Sequence, residues 1–107
     1  DLCGFTAQLR SFAHLPSLTV TQVRAEVERL ERLLPRYRDV APSDLRPDVD
    51  RVIASAQPVV DALRAAGFDP RQPEPARLLS DATAGTGAWA EGAEGITRIL
   101  QWEAAEC

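Results

Sequence analysis

The chain holds two cysteines, Cys3 near its start and Cys107 at its last position. A fold that joins them must bring its last element back beside its first, and this constrains the topology more than any other feature. Two cysteines this far apart suit a disulfide formed in an oxidising compartment; a cytosolic metal or redox site would bring them close together, as in C-x-x-C. A lipid-modified Cys3 is the competing reading. A lipobox wants a small residue just before the cysteine, and Leu2 stands there instead.

Helical periodicity accounts for most of the remaining chain. Leu2, Phe5, Leu9 and Phe12 recur at spacings of three and four, one stripe of a short helix that Pro16 stops. Thr19 followed by Gln22 is a capping-box start with Leu18 as its staple to Val23, and the stripe Val20, Val23, Val27, Leu30, Leu34, Tyr37 and Ala41 predicts a helix over Val20 to Val40, kinked at Pro35. Pro42, Pro47, Asp48 and Asp50 mark the next start, either proline fitting a first turn. Leu45, Val49, Val52, Ala56, Val59 or Val60, and Leu63 extend that helix from about Pro47 to Ala66, with a second kink at Pro58. Gly67 and Phe68 read as a Schellman stop, sealed by Pro70.

The stretch "DPRQPEPARLLSDATAGTG" has the weakest pattern and reads as a crossing segment whose Leu78 and Leu79 cover the core. Beyond it, Trp89, Ala93, Ile96, Leu100, Ala104 and Cys107 form one side of a last helix, which starts between Ala82 and Ala90. Gly85, Gly87, Gly92 and Gly95 make its first half a poor helix former. The expectation is a single all-α domain over residues 1–107, an up-down-up-down four-helix bundle with kinked helices and its termini joined by Cys3 and Cys107.

Composition excludes several function classes. A net charge of -4 gives no concentrated basic surface for nucleic acid or anionic membrane. No stretch approaches a membrane span, and no leader is seen, so an exported protein would already have lost its signal. All twelve basic residues are arginine, and Lys, Asn and Met are missing, which reads as a high-G+C genome.

The N-terminal "CGFTAQL", the "VAPSDLRPDVDRV" segment, the "AAGFDP" stop and the "QWEAAEC" ending resemble small exported helical proteins and lipoproteins of actinobacteria, whose function is unknown. The resemblance covers most of the layout. It implies export to the extracellular or cell-envelope space and two joined cysteines, and it implies no activity; the glycine-rich start of the last helix departs from it.

Candidate sites are few. His14 is the only histidine and reads as capping a carbonyl or facing water. No H-x-x-x-H, E-x-x-H or C-x-x-C spacing calls for a metal, no G-x-S-x-G elbow for a serine hydrolase, and no lysine completes a phosphate loop, so no cofactor and no catalytic residue is assigned. Arg32, Arg36 and Arg38 group guanidinium forks around Tyr37, with Arg36, Tyr37 and Arg38 a candidate partner contact or anion site, beside the reading that Arg24/Glu28 and Glu28/Arg32 are i,i+4 pairs on a solvated face. Gly85, Gly92 and Ala93 beside Trp89 read either as small residues that let helices approach or as a loose segment that opens over an apolar ligand. Trp102 lies about 140° from the stripe of Trp89, Ile96 and Leu100 on an ideal helix. It either covers the disulfide end or stands out as an anchor for another protein.

Two functions follow as expectations, neither of them enzymatic. The first is an interaction module contacting a partner protein or envelope component through Trp102, Arg36, Tyr37 and Arg38. The alternative is a carrier of a small apolar ligand in a pocket between kinked helices, lined by Phe12, Tyr37 and Trp89.

Overall fold

A computed structural model describes residues 1–107, apart from the side chain of Ala88. Six α-helices follow one another: α1 (Phe5–Leu9), α2 (Ser11–His14), α3 (Val20–Val40), α4 (Arg46–Ala65), α5 (Pro73–Ala84) and α6 (Ala90–Glu106), with 3₁₀ turns at Leu15–Ser17 and Gly87–Trp89. No strand occurs among the described residues. The principal extents of 38 × 25 × 18 Å hold two helix layers across the thin direction, since a helix with its side chains is about 10 Å wide.

The local start and stop signals act as their chemistry requires. Thr19 accepts the Gln22 N–H at 3.2 Å while the Gln22 side chain accepts the Thr19 N–H at 2.9 Å, the reciprocal capping box that starts α3. Helix α4 begins with Pro47 in its first turn, and Pro42 instead closes the turn before it, accepting from Leu45 N–H and Arg46 N–H. At the far end of α4 the Phe68 N–H reaches the Leu63 carbonyl and the Gly67 N–H the Arg64 carbonyl, the paired bonds of a Schellman stop. Both α3 and α4 remain helical through Pro35 and Pro58.

Three expectations need correction. The N-terminal stripe is two short helices and a 3₁₀ turn, although Leu2, Phe5, Leu9 and Phe12 are all buried as the spacing requires. The supposed crossing segment contains a helix, α5. Pro73 occupies its first turn with Glu74 beside it, Pro75, Leu78 and Leu79 are buried, and Gly85 ends it with φ +71. Helix α6, finally, buries Gly92, Gly95 and Ile99 and leaves Leu100 42% exposed, so its inner face is turned away from the stripe of large residues.

That turn has a physical cause. Helix α6 packs most extensively on α4, and its closest approach is at two glycines. A Cβ on Gly95 would stand 2.7 Å from the Asp48 carbonyl oxygen, and one on Gly92 would stand 2.7 Å from Ser55 Oγ. Smallness, not hydrophobicity, sets this seam. At its edge the buried Asp48 carboxylate meets Arg51 at 3.2 Å within α4 and Arg98 of α6 at 3.8 Å.

Cys3 and Cys107 are joined, with Cα atoms 6.0 Å apart and 104 positions between them in sequence. A second, polar tie lies beside the disulfide. Gly4, at φ +89, supplies no side chain to cap α1; Glu103 of α6 caps it instead, accepting the Gly4 N–H at 3.3 Å and the Thr6 hydroxyl at 2.7 Å. Helix α3 is tied to α1 through Arg29, which bonds both Glu26 and Gln8. The Arg29 guanidinium holds the Glu26 carboxyl below the usual carboxylate range, against the opposing effect of partial burial.

Candidate functional site

The side chains left over from the seam define a hollow. Because α6 gives its glycine face to α4, Ile96 and Leu100 face another way, toward α1 and α2. They line a groove of about 270 Å³ together with Leu9, Phe12 and Ala13 from the N-terminal helices. Ala82 and Thr83 of α5 form the opposite wall. Trp89, on the turn between α5 and α6, is 3% exposed and packs edge-to-face with Phe12, ring centroids 6.0 Å apart.

A second hollow of about 390 Å³ adjoins the first. Phe12, Ala13 and Thr83 line both; Pro16, Pro70 and Leu79 continue the apolar lining. The two therefore adjoin where α2 meets α5.

Few polar groups interrupt this lining. The Thr83 hydroxyl donates to the Leu79 carbonyl and the Thr6 hydroxyl to Glu103, so both protons are committed within the protein. Two donors are not. The Trp89 Nε1–H is buried and has no acceptor among the described residues, and Arg10, exposed at the groove, has neither a side-chain hydrogen bond nor an ion pair among them. A buried donor without a partner costs about 1–3 kcal/mol relative to a paired one.

Comparison with protein-family models, curated proteins and solved structures finds no match for this chain. The site's chemistry is therefore read from its residues alone.

The structure divides the sequence-derived site residues between separate places. Phe12 and Trp89 share the groove, whereas Tyr37 packs edge-to-face on Phe5 with centroids 5.3 Å apart and lines a different, shallow hollow with Asp1, Leu33, Arg36 and Val40. Arg36 and Arg38 do not act as a pair: both are exposed, and Arg38 is bound to Asp50 at 2.6 Å. Trp102 is half-buried and packs against the core. It lies within about 20° of Gly95 on an ideal helix, which places it on the seam side of α6, not apart from it. His14 is exposed, and its carbonyl accepts the Ser17 hydroxyl. Among the described residues no three His, Cys, Asp or Glu side chains gather in one place.

Sequence reasoning missed Leu9, Ala13, Ala82, Thr83, Ile96 and Leu100 as a common wall. The signal that could have found it is the one that reveals α5: Pro73 and Glu74 at a start, Pro75, Leu78 and Ala82 at helical spacing, and Gly85 at the stop. With α5 recognised as a helix, a partner for the outer side of α2 becomes necessary.

Proposed function

We propose that this chain is an exported, non-enzymatic binding module that carries a small apolar ligand in the groove between α2, α5 and α6. The observation that carries the reading is the Trp89 and Phe12 pair under an open apolar hollow whose buried indole N–H lacks an acceptor. A volume of about 270 Å³ lies just below the roughly 300–1,000 Å³ common for ligand sites, and a second hollow of about 390 Å³ adjoins it. Export agrees with the disulfide, which persists in oxidising compartments, and with the resemblance to exported actinobacterial proteins. Among the described residues no helix is long and apolar enough to cross a membrane. In this reading α1 with α2, α3, α4 and α6 form the up-and-down four-helix frame, and α5 is an added wall.

A partner-protein contact through Trp102, Arg36, Tyr37 and Arg38 has less support. Trp102 packs against the core and Arg38 is taken by Asp50, leaving Arg36 beside Tyr37 and the 51% exposed Val40.

Fluorescence tests the proposal directly. In a Trp102→Phe background Trp89 is the sole indole, and titration with an environment-sensitive apolar dye should change its emission saturably. Ala82→Phe, which fills the hollow from α5, should abolish the change while leaving helix content and urea midpoint near those of the parent. A dye that binds both proteins alike would place the apolar site elsewhere and remove the proposal.

A further inference from the structure

The groove's polar groups specify its ligand further. Every donor already used within it is a threonine hydroxyl committed to the protein, and the two unmet groups, Arg10 and the Trp89 Nε1–H, are both donors. Among the described residues no acidic one lines either hollow. In a chain of net charge -4 an apolar groove with an unpaired guanidinium and no carboxylate is an electrostatic exception, and it fits an acceptor-only, negatively charged group better than a neutral one.

The shape adds the rest of the ligand. The first hollow, of about 270 Å³, shares Phe12, Ala13 and Thr83 with the second, of about 390 Å³, and two adjoining apolar hollows suit one flexible chain laid across those three residues. At the far end stands Arg71, which differs from Arg10 in being paired, its guanidinium 3.3 Å from Asp69. Asp69 is itself held below the usual carboxylate range, chiefly by the Arg71 backbone N–H. The unpaired cation therefore lies at one end only.

Resting on the apolar-carrier reading, we infer that the ligand is a single-chain amphiphile with a carboxylate head: the head pairs with Arg10, and the acyl chain runs over Phe12 and Ala13 into the second hollow. Arg10 is then the specificity-determining residue, separating the carboxylate from a neutral amphiphile of the same chain length.

The test uses the whole disulfide-bonded chain, titrated with dodecanoate and with dodecanol and followed by Trp89 emission in the Trp102→Phe background and by calorimetry. Dodecanoate should bind at least tenfold tighter than dodecanol. Arg10→Gln should weaken dodecanoate at least tenfold and leave dodecanol unchanged, and because Arg10 is exposed and makes no internal bond the variant keeps its fold. Arg71→Gln should change neither. Equal affinity for the two probes, or no effect of Arg10→Gln, overturns the carboxylate assignment while the carrier reading survives on dodecanol binding. Loss of dodecanoate binding in Arg71→Gln instead overturns the placement of the head. If neither probe binds, both the inference and the carrier reading fall.

Discussion

The two sides of α6 meet their neighbours in opposite ways. Toward α4 it presents Gly92 and Gly95, and the backbones come so close that a single added methyl group would strike Asp48 or Ser55. Toward α2 and α5 it presents Ile96 and Leu100, and there the helices stand off and leave the groove. Large apolar residues on a helix do not by themselves mark the tightest contact. On this helix Gly92 and Gly95 seal beside the buried Ile99, while Ile96 and Leu100 line a space.

Removing the disulfide should separate the two regions most strongly. Closing a loop of about 100 residues is worth roughly 4–5 kcal/mol in the chain-entropy model, so Cys3→Ser with Cys107→Ser should lose about that much stability in urea. Hydrogen exchange should then speed first in α1 and α2, the groove side, while the amides of α4 and α6 along the seam keep their protection. Equal loss of protection on both sides would mean that the seam, too, depends on the clasp.

Neighbouring residues sharpen the contrast next. Ile99 is fully buried and Leu100 is 42% exposed, so Ile99→Ala should cost about 2–5 kcal/mol and Leu100→Ala under about 1 kcal/mol in the same urea experiment. Similar costs would show that the groove is closed in solution.

The subtlest break is the addition of one methyl group to the seam. Gly95→Ala removes a poor helix former, which alone would stabilise by about 1 kcal/mol, but its Cβ would stand 2.7 Å from the Asp48 carbonyl oxygen, a backbone atom that cannot rotate away. Overpacking of this kind costs about 1–3 kcal/mol, so a net loss of about 1 kcal/mol is expected from thermal or urea unfolding. A gain in stability would show that the seam has slack.

How much of this was legible depends on how local each signal is. The Thr19 and Gln22 box and the Gly67 and Phe68 stop could be read directly, because each is complete within a few residues and its hydrogen bonds close there. The buried stripe of α4 was equally clear, since Val49, Val52, Ala56 and Leu63 carry the hydrophobic signal themselves. Helix α5 was obscured by three prolines in six positions, Pro70, Pro73 and Pro75, which suggest a loop although two of them stand in a first helical turn, where a missing N–H costs nothing. The inner face of α6 was misread for a deeper reason. Glycine contributes nothing to a hydrophobic pattern, so a face built for close approach looks like no face at all. Of the proposed pocket residues, Phe12 and Trp89 came together and Tyr37 did not, because Tyr37 lies on α3 and turns to Phe5.

Sequence alone determined an all-helical chain, the start of α3, the stop of α4, and the two cysteines that meet, because capping, turn chemistry and helical spacing act over a few residues and thiols need only one partner. Tertiary packing decided which side of α6 faces inward, that Glu103 caps a helix nearly a hundred residues away, and where an open groove remains. Those outcomes follow from shape and distance between elements, and a hydrophobic pattern records neither.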